Sequence, residues 1–280
     1  MMPSVVADES RPSLEVLDSG NPRWQPLLEA CDHINAFYRP EFVEAEARFL
    51  NGKAIMLVCR TSSGTAVYPC IELPVKSRDG PVYHDLRGLP YAGPASTALG
   101  SEAKKQTIET LWECLAERAE ERGWVTDFCR LNPLLCSDPP QRVRTRAECS
   151  EHVMVDLEKS QETIFSGFNQ TFRRNIRLAL NQGVSCRICQ TRAEFALFEE
   201  LYIRRMRELG ASSRFQYDDR YFSALRKVSG DSVFLVIAYL NNTLLGGALS
   251  LCHEQISLSF LVSFDRLFLM MKALKQLNLF

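Results

Sequence analysis

Histidine is scarce in this chain, neither sign of charge is in excess, and no apolar run is long enough to cross a bilayer. The four histidines, His33, His84, His152 and His253, are scattered and share no metal-ligand or catalytic-triad spacing, so no metal site is expected. Thirty-three basic residues face 34 acidic ones, for a net charge of −1, which argues against a DNA-binding protein. The most apolar run, residues 256–274, is interrupted by Asp265, Arg266 and Lys272, so no transmembrane segment is expected. The start, MMPSVVADESRPS, lacks a basic region followed by an apolar core, which excludes a recognisable secretory signal. The expected compartment is cytoplasmic. The ten cysteines then read as reduced thiols in or near a core. The single C-x-x-C, Cys186 and Cys189, lies on an expected strand with the two residues on opposite faces, and no second pair adjoins it. Structural thiols and a redox pair both fit that spacing.

What is present is ordinary globular composition, 46% hydrophobic and 24% charged over 280 residues, enough for two domains. Residues 1–13 read as a loose polar tail. Helices are expected over residues 24–30 and 37–49, then strands over 54–59 and 66–73 joined by Thr61-Ser62-Ser63-Gly64. Pro69 points to an edge strand or a bulge. Residues 79–94, rich in glycine and proline, read as a shaped loop. In residues 101–124, Ile108, Leu111, Trp112, Leu115 and Ala119 form one helical stripe, which Gly123 ends before a strand at 125–131. Residues 132–147, with Pro133, Pro139 and Pro140, read as a crossover between domains spanning 14–147 and 148–280.

The second half opens with a short strand at 153–157. In residues 165–184, FSGFNQTFRRNIRLALNQGV, a stripe of Ile164, Phe168, Phe172, Ile176 and Leu180 predicts a single amphipathic helix. Ser160 caps its start and Gly183 its end. Arg173, Arg174 and Arg177 fall off the stripe. They are either a solvated face or an anion site, because guanidinium forks match phosphate and carboxylate geometry. A strand follows from Val184. Phe195, Phe198, Tyr202, Met206 and Leu209 then draw a second helix ending at Gly210, and Asp218 caps a third over 221–228, closed by Gly230. Strands at 233–239, 243–252 and 255–263, turned by Asn241-Asn242 and His253-Glu254, form an antiparallel meander.

Several stretches in order carry a family resemblance. They are Asp85-Leu86 with Tyr91-Ala92-Gly93-Pro94, Arg130-Leu131-Asn132-Pro133-Leu134-Leu135, and Phe172-Arg173-Arg174-Asn175-Ile176-Arg177 with Gly183-Val184. Leu201-Tyr202 with Met206-Arg207 and Leu209-Gly210, Tyr221-Phe222, and Ala238-Tyr239 with Gly246-Gly247-Ala248 continue it. On these residues the chain resembles the FemAB-like family of tandem acetyltransferase-like (GNAT) acyltransferases. The resemblance implies an α+β fold: two GNAT domains, each a mixed, mostly antiparallel sheet flanked by helices. The second domain is expected to lack its final strands, because the sequence stops at Phe280.

The resemblance further implies an acyltransferase that forms an amide on an amine of a cell-envelope precursor, nucleotide-linked or lipid-linked. Its donor is either an aminoacyl-tRNA or acetyl-CoA, with no tightly bound cofactor. Such an enzyme mainly positions its substrates and stabilises an oxyanion, so it needs no nucleophilic side chain. The implied substrate-binding residues are Arg173, Arg174, Arg177 and Arg207, with Tyr91 and Gly93 shaping an acceptor groove; the catalytic residues stay unassigned. An acetyl-CoA-dependent N-acetyltransferase is the alternative, opposed by the glycine-free junction Ser263-Phe264-Asp265-Arg266-Leu267-Phe268, where such enzymes cradle pyrophosphate. A second alternative is an inactive, truncated chain that serves only as a binding protein.

Overall fold

The structure is a computed structural model that describes residues 12–32, 34–75, 82–131, 153–227, 232–253 and 256–265. The chain divides into two compact units, Met1–Thr145 with Ser223–Val228, and Arg146–Phe222 with Ser229–Phe280. The architecture is α+β, with mixed, mostly antiparallel sheets flanked by helices. The expected tail (its last two residues apart), the interdomain crossover, Asn132 to Leu135, His33, His152, Gly230, Glu254 and the run beyond Asp265 lie outside the described residues.

In the first unit, β1 (Ser13–Asp18) is followed by α1 (Trp24–Glu29), a 3₁₀ turn at Ala36–Tyr38, and α2 (Pro40–Phe49). The expected helix over 37–49 is thus divided by Pro40, which suits the first helical position and has no N–H to give to the preceding turn. The strand β1 was not expected; it begins at Ser13, the last residue of the stretch read as a tail, and buries Leu14 and Leu17. The long hairpin β2 (Lys53–Thr61) and β3 (Gly64–Val75) fulfils the strand expectations with longer bounds. Pro69 is not on an edge or a bulge. It lies in a central strand, where β3 changes partner from β5 (Ala95–Ser96), paired at Ala66 and Val67, to β4 (Tyr83–Gly88), paired from Cys70 onward. The missing N–H therefore falls where that side has no ladder.

The expected loop over 79–94 needs a second correction, because its middle is the strand β4. Alternation there is concealed by Asp85 and Arg87, which sit on the face opposite Leu86. The helix α3 (Ser101–Arg122) ends at Gly123, whose φ of +66° is the left-handed geometry that glycine adopts without strain. It returns the chain to β6 (Trp124–Phe128), parallel to β4, and completes the order β1-β2-β3-β4-β6. Leu111, Cys114 and Leu115 of α3 pack on Leu57, Cys59, Tyr68, Cys70 and Leu86.

The second unit begins without the expected strand. Residues 153–157 form no regular element, and Val153, Met154 and Leu157 are 76%, 67% and 69% exposed. The predicted single helix is two, α4 (Gln161–Gly167) and α5 (Gln170–Asn181), separated by Phe168 in extended conformation. Then come β7 (Ser185–Ile188), α6 (Arg192–Glu208), α7 (Asp219–Leu225) and the meander of β8 (Val233–Leu240), β9 (Thr243–His253) and β10 (Ile256–Phe264). The sheet order is β10-β9-β8-β7, antiparallel throughout. Asn241 and Asn242 take φ of 47° and 65°, as a two-residue hairpin turn requires. Gly247 lets α6 approach the sheet, since a Cβ there would meet the Phe198 ring at 2.8 Å.

Asp127, on the outer strand β6, gives the first unit a pH dependence. Desolvation pushes the Asp127 carboxyl up to about 7, against the hydrogen bond that the Tyr68 hydroxyl donates to it at 3.0 Å. The folded state therefore holds a proton that the unfolded chain releases near pH 4, and stability falls as pH rises from about 4 to about 7. β6 is the outer strand among the described residues and Asp127 is exposed on it, so the slope should be a fraction of the ~1.4 kcal/mol per pH unit of a fully sequestered group. Asp127→Asn is expected to flatten it, read as the pH dependence of the urea midpoint.

Candidate functional site

In the first unit, residues 89–94 form a loop held from below. Tyr91 adopts φ +57°, a conformation that costs a non-glycine residue energy and persists only when its surroundings enforce it. The Asn35 amide donates to the Tyr91 carbonyl at 2.7 Å, while its oxygen accepts from the Phe37 N–H at 2.9 Å. The Tyr38 hydroxyl donates to the Gly93 carbonyl at 2.7 Å. Asn35, Phe37 and Tyr38 are all buried. The loop thus holds the half-buried Tyr91 ring in one place, with the Arg130 guanidinium 5.5 Å above it. Gly93, expected to shape a groove, is itself buried with its carbonyl tied inward. No site role was read in the sequence for Asn35, Tyr38 or Arg130, the last of which entered only as part of a family motif; an Asn two residues ahead of the backbone N–H that it caps is the local signal for the first.

In the second unit the three arginines have three different fates. Asn169 caps α5 by accepting the Phe172 N–H at 2.8 Å, which starts a new helix immediately after the break. Nη1 of Arg173 reaches back and donates to the carbonyls of Ser166 and Phe168, each at 2.6 Å. It therefore closes the C-terminal end of α4, where a cation is favoured. Arg177 lies with its guanidinium 5.3 Å over the Phe165 ring. Arg174 is exposed and makes no hydrogen bond or ion pair among the described residues. Phe172 and Ala179 are the buried residues of α5, so the packed face runs through them and Ile176, while Leu180 is 62% exposed. The apolar stripe drawn through Leu180 is off by one position, because on a helix of 3.6 residues per turn a strict every-fourth-residue stripe drifts by about 40° per step, which leaves Ala179 rather than Leu180 on the side of Phe172.

The other cations of this unit divide in the same way. Arg207 is exposed on α6. Arg204 on the same helix donates to Asp265 at 2.7 Å, which pins α6 to the end of β10. Arg187 pairs with Glu194, whose carboxyl falls to about 2 chiefly through that hydrogen bond. Cys186 and Cys189 are free thiols, both held above their usual pKa by desolvation, which disfavours the thiolate that redox chemistry needs. Among the described residues no group of three His, Cys, Asp or Glu side chains could hold a metal, and no helix is long and apolar enough to cross a membrane.

A basic helix–turn–strand unit on a mixed α+β scaffold has known relatives. The FemAB family model matches residues 140–255, the stretch that carries α4 to β9, and over it the chain is similar to FemAB proteins. Members of that family are peptidoglycan-related aminoacyltransferases. Among solved structures, a crystal structure of FemX is similar, with a TM-score of 0.60 and 11% sequence identity over 94% of this chain and 84% of that one. That likeness is one of fold. No curated protein matches the chain.

Two substitutions test the geometry. Asn35→Ala leaves a buried N–H and a buried carbonyl unpaired, and should lower stability by about 1–3 kcal/mol in urea unfolding. Arg173→Ala should cost about 1 kcal/mol, because it removes a charged donor from two carbonyls that retain some access to water.

Proposed function

We propose that the chain is an acyltransferase that forms an amide on an amine of a peptidoglycan precursor, with aminoacyl-tRNA as donor. The match of residues 140–255 to the FemAB family carries this reading, and the likeness in fold to FemX agrees with it. In the reaction the amine attacks the acyl ester carbon, a C–N bond forms, the C–O bond to the donor breaks, and the tRNA hydroxyl leaves with a proton. The protein supplies position and oxyanion stabilisation, and no cysteine is needed as nucleophile. A tandem GNAT arrangement and a cytoplasmic location belong to the same reading.

The acceptor, nucleotide-linked or lipid-linked, carries phosphates. Arg174, Arg177 and Arg207 are the cations offered to them, with Arg173 as a positioning residue that sets the direction of α5. Tyr91, held by Asn35 and paired with Arg130, would border the acceptor, and the buried Gly93 would act only through the shape of its loop. Acetyl-CoA is the less favoured donor. Where β10 ends, the backbone presents the Asp265 carboxylate, already bound to Arg204, in a place where a diphosphate would need donors.

The decisive experiment is a thermal-shift screen of the full chain against UDP-linked muramyl pentapeptide and acetyl-CoA, since a ligand of the native state alone raises the melting temperature. The muramyl peptide is expected to raise it, and Arg174→Ala combined with Arg207→Ala to abolish the shift. A shift with acetyl-CoA alone would sink the aminoacyl reading.

A further inference from the structure

Charge is balanced over the whole chain but not along the α4–β7 stretch. From Thr163 to Ala193 there are five arginines and no acidic residue. Arg187 is neutralised by Glu194 and Arg173 is turned to the joint between the helices. Arg174 and Arg177 stay exposed on α5. Beside them lie apolar side chains that the fold leaves uncovered: Leu178 is 38% and Leu180 62% exposed, and Ile188 at the end of β7 is 54% exposed. Leu178 follows Arg174 by four residues and Leu180 follows Arg177 by three, so each leucine neighbours an arginine on the helix surface.

A single exposed leucine on a soluble protein requires no explanation. Leucines alternating with unopposed arginines on a helix are different, because they suit a surface that offers phosphates outside and hydrocarbon just beneath. The leucines can enter the boundary between headgroups and acyl chains while the guanidiniums stay at the level of the phosphates. RNA would use the arginines and leave the leucines in water. Its bases also seek open aromatic rings, whereas Phe165, Phe168 and Phe172 are occupied by one another and by Arg177.

We propose that α5 and the turn into β7 dock on an anionic phospholipid surface, with Arg174 and Arg177 on headgroup phosphates and Leu178 and Leu180 in the acyl boundary. This rests on the acyltransferase reading and adds to it the surface by which the chain would meet a membrane. The test is flotation of the full chain with vesicles of phosphatidylcholine alone or mixed with phosphatidylglycerol. The expected result is flotation with the mixed vesicles only, lost at high salt. Arg174→Ala should weaken partitioning about fivefold, and Leu180→Ser should weaken it again, with circular dichroism to verify folding. If either variant fails to fold, the lipid and salt dependence of the unaltered chain decides alone. Equal behaviour with neutral and anionic vesicles, no flotation at low salt, or folded variants that partition like the parent would overturn the proposal. So would a shift of tRNA on a gel, dependent on Arg174, in a chain that does not float. A melting shift with the UDP-linked precursor in a non-floating chain would remove the membrane inference and leave the acyltransferase standing; flotation without turnover of any precursor would do the reverse.

Discussion

Two carbonyl groups left unpaired at the end of α4, and one arginine that reaches back to them, decide how the second unit presents its positive charge. Phe168 leaves the helical conformation, and Asn169 restarts it three residues before the N–H it caps. Without a donor at the break, the Ser166 and Phe168 carbonyls would depend on water alone. Arg173 provides that donor from the first turn of α5, linking the end of one helix to the start of the next. The cost is one of three neighbouring cations. The gain is that Arg174 and Arg177 keep a fixed direction, because the helix that carries them is fixed at its origin and packed through Phe172 and Ala179.

A comparable device operates in the first unit. There the strained backbone of Tyr91 is held by hydrogen bonds from buried side chains, Asn35 to its own carbonyl and Tyr38 to that of Gly93. Each of those donors sits in or beside the short 3₁₀ turn, which the bulky Phe37 and Phe42 rings, 4.7 Å apart and edge to face, hold in the core. In both units a candidate surface is shaped by side chains that never reach it. A reading confined to exposed residues would overlook the ones whose loss disorganises the site.

The sequence by itself determined the features that depend on neighbours along the chain. Ser160, Asp218, Gly123 and Gly183 were legible as caps because capping is decided within four residues, and the Asn-Asn turn and the meander were legible for the same reason. The long stripe of α3 was readable from its periodicity, and the ordered motifs placed the chain near FemAB before any coordinate. Only the tertiary structure decided the rest. It showed that residues 83–88 are a strand, because pairing with β3 and β6 outweighs a composition that favours a loop. It showed that 153–157 is not one, because β-rich composition forms a strand only where a partner offers a ladder. It set the break at Phe168 and the role of Arg173, since a helix interruption depends on what can satisfy its freed carbonyls, and that partner lies a turn away in space. Which of three arginines is free for a ligand is a question of hydrogen-bond partners, and those are fixed only when the chain has folded.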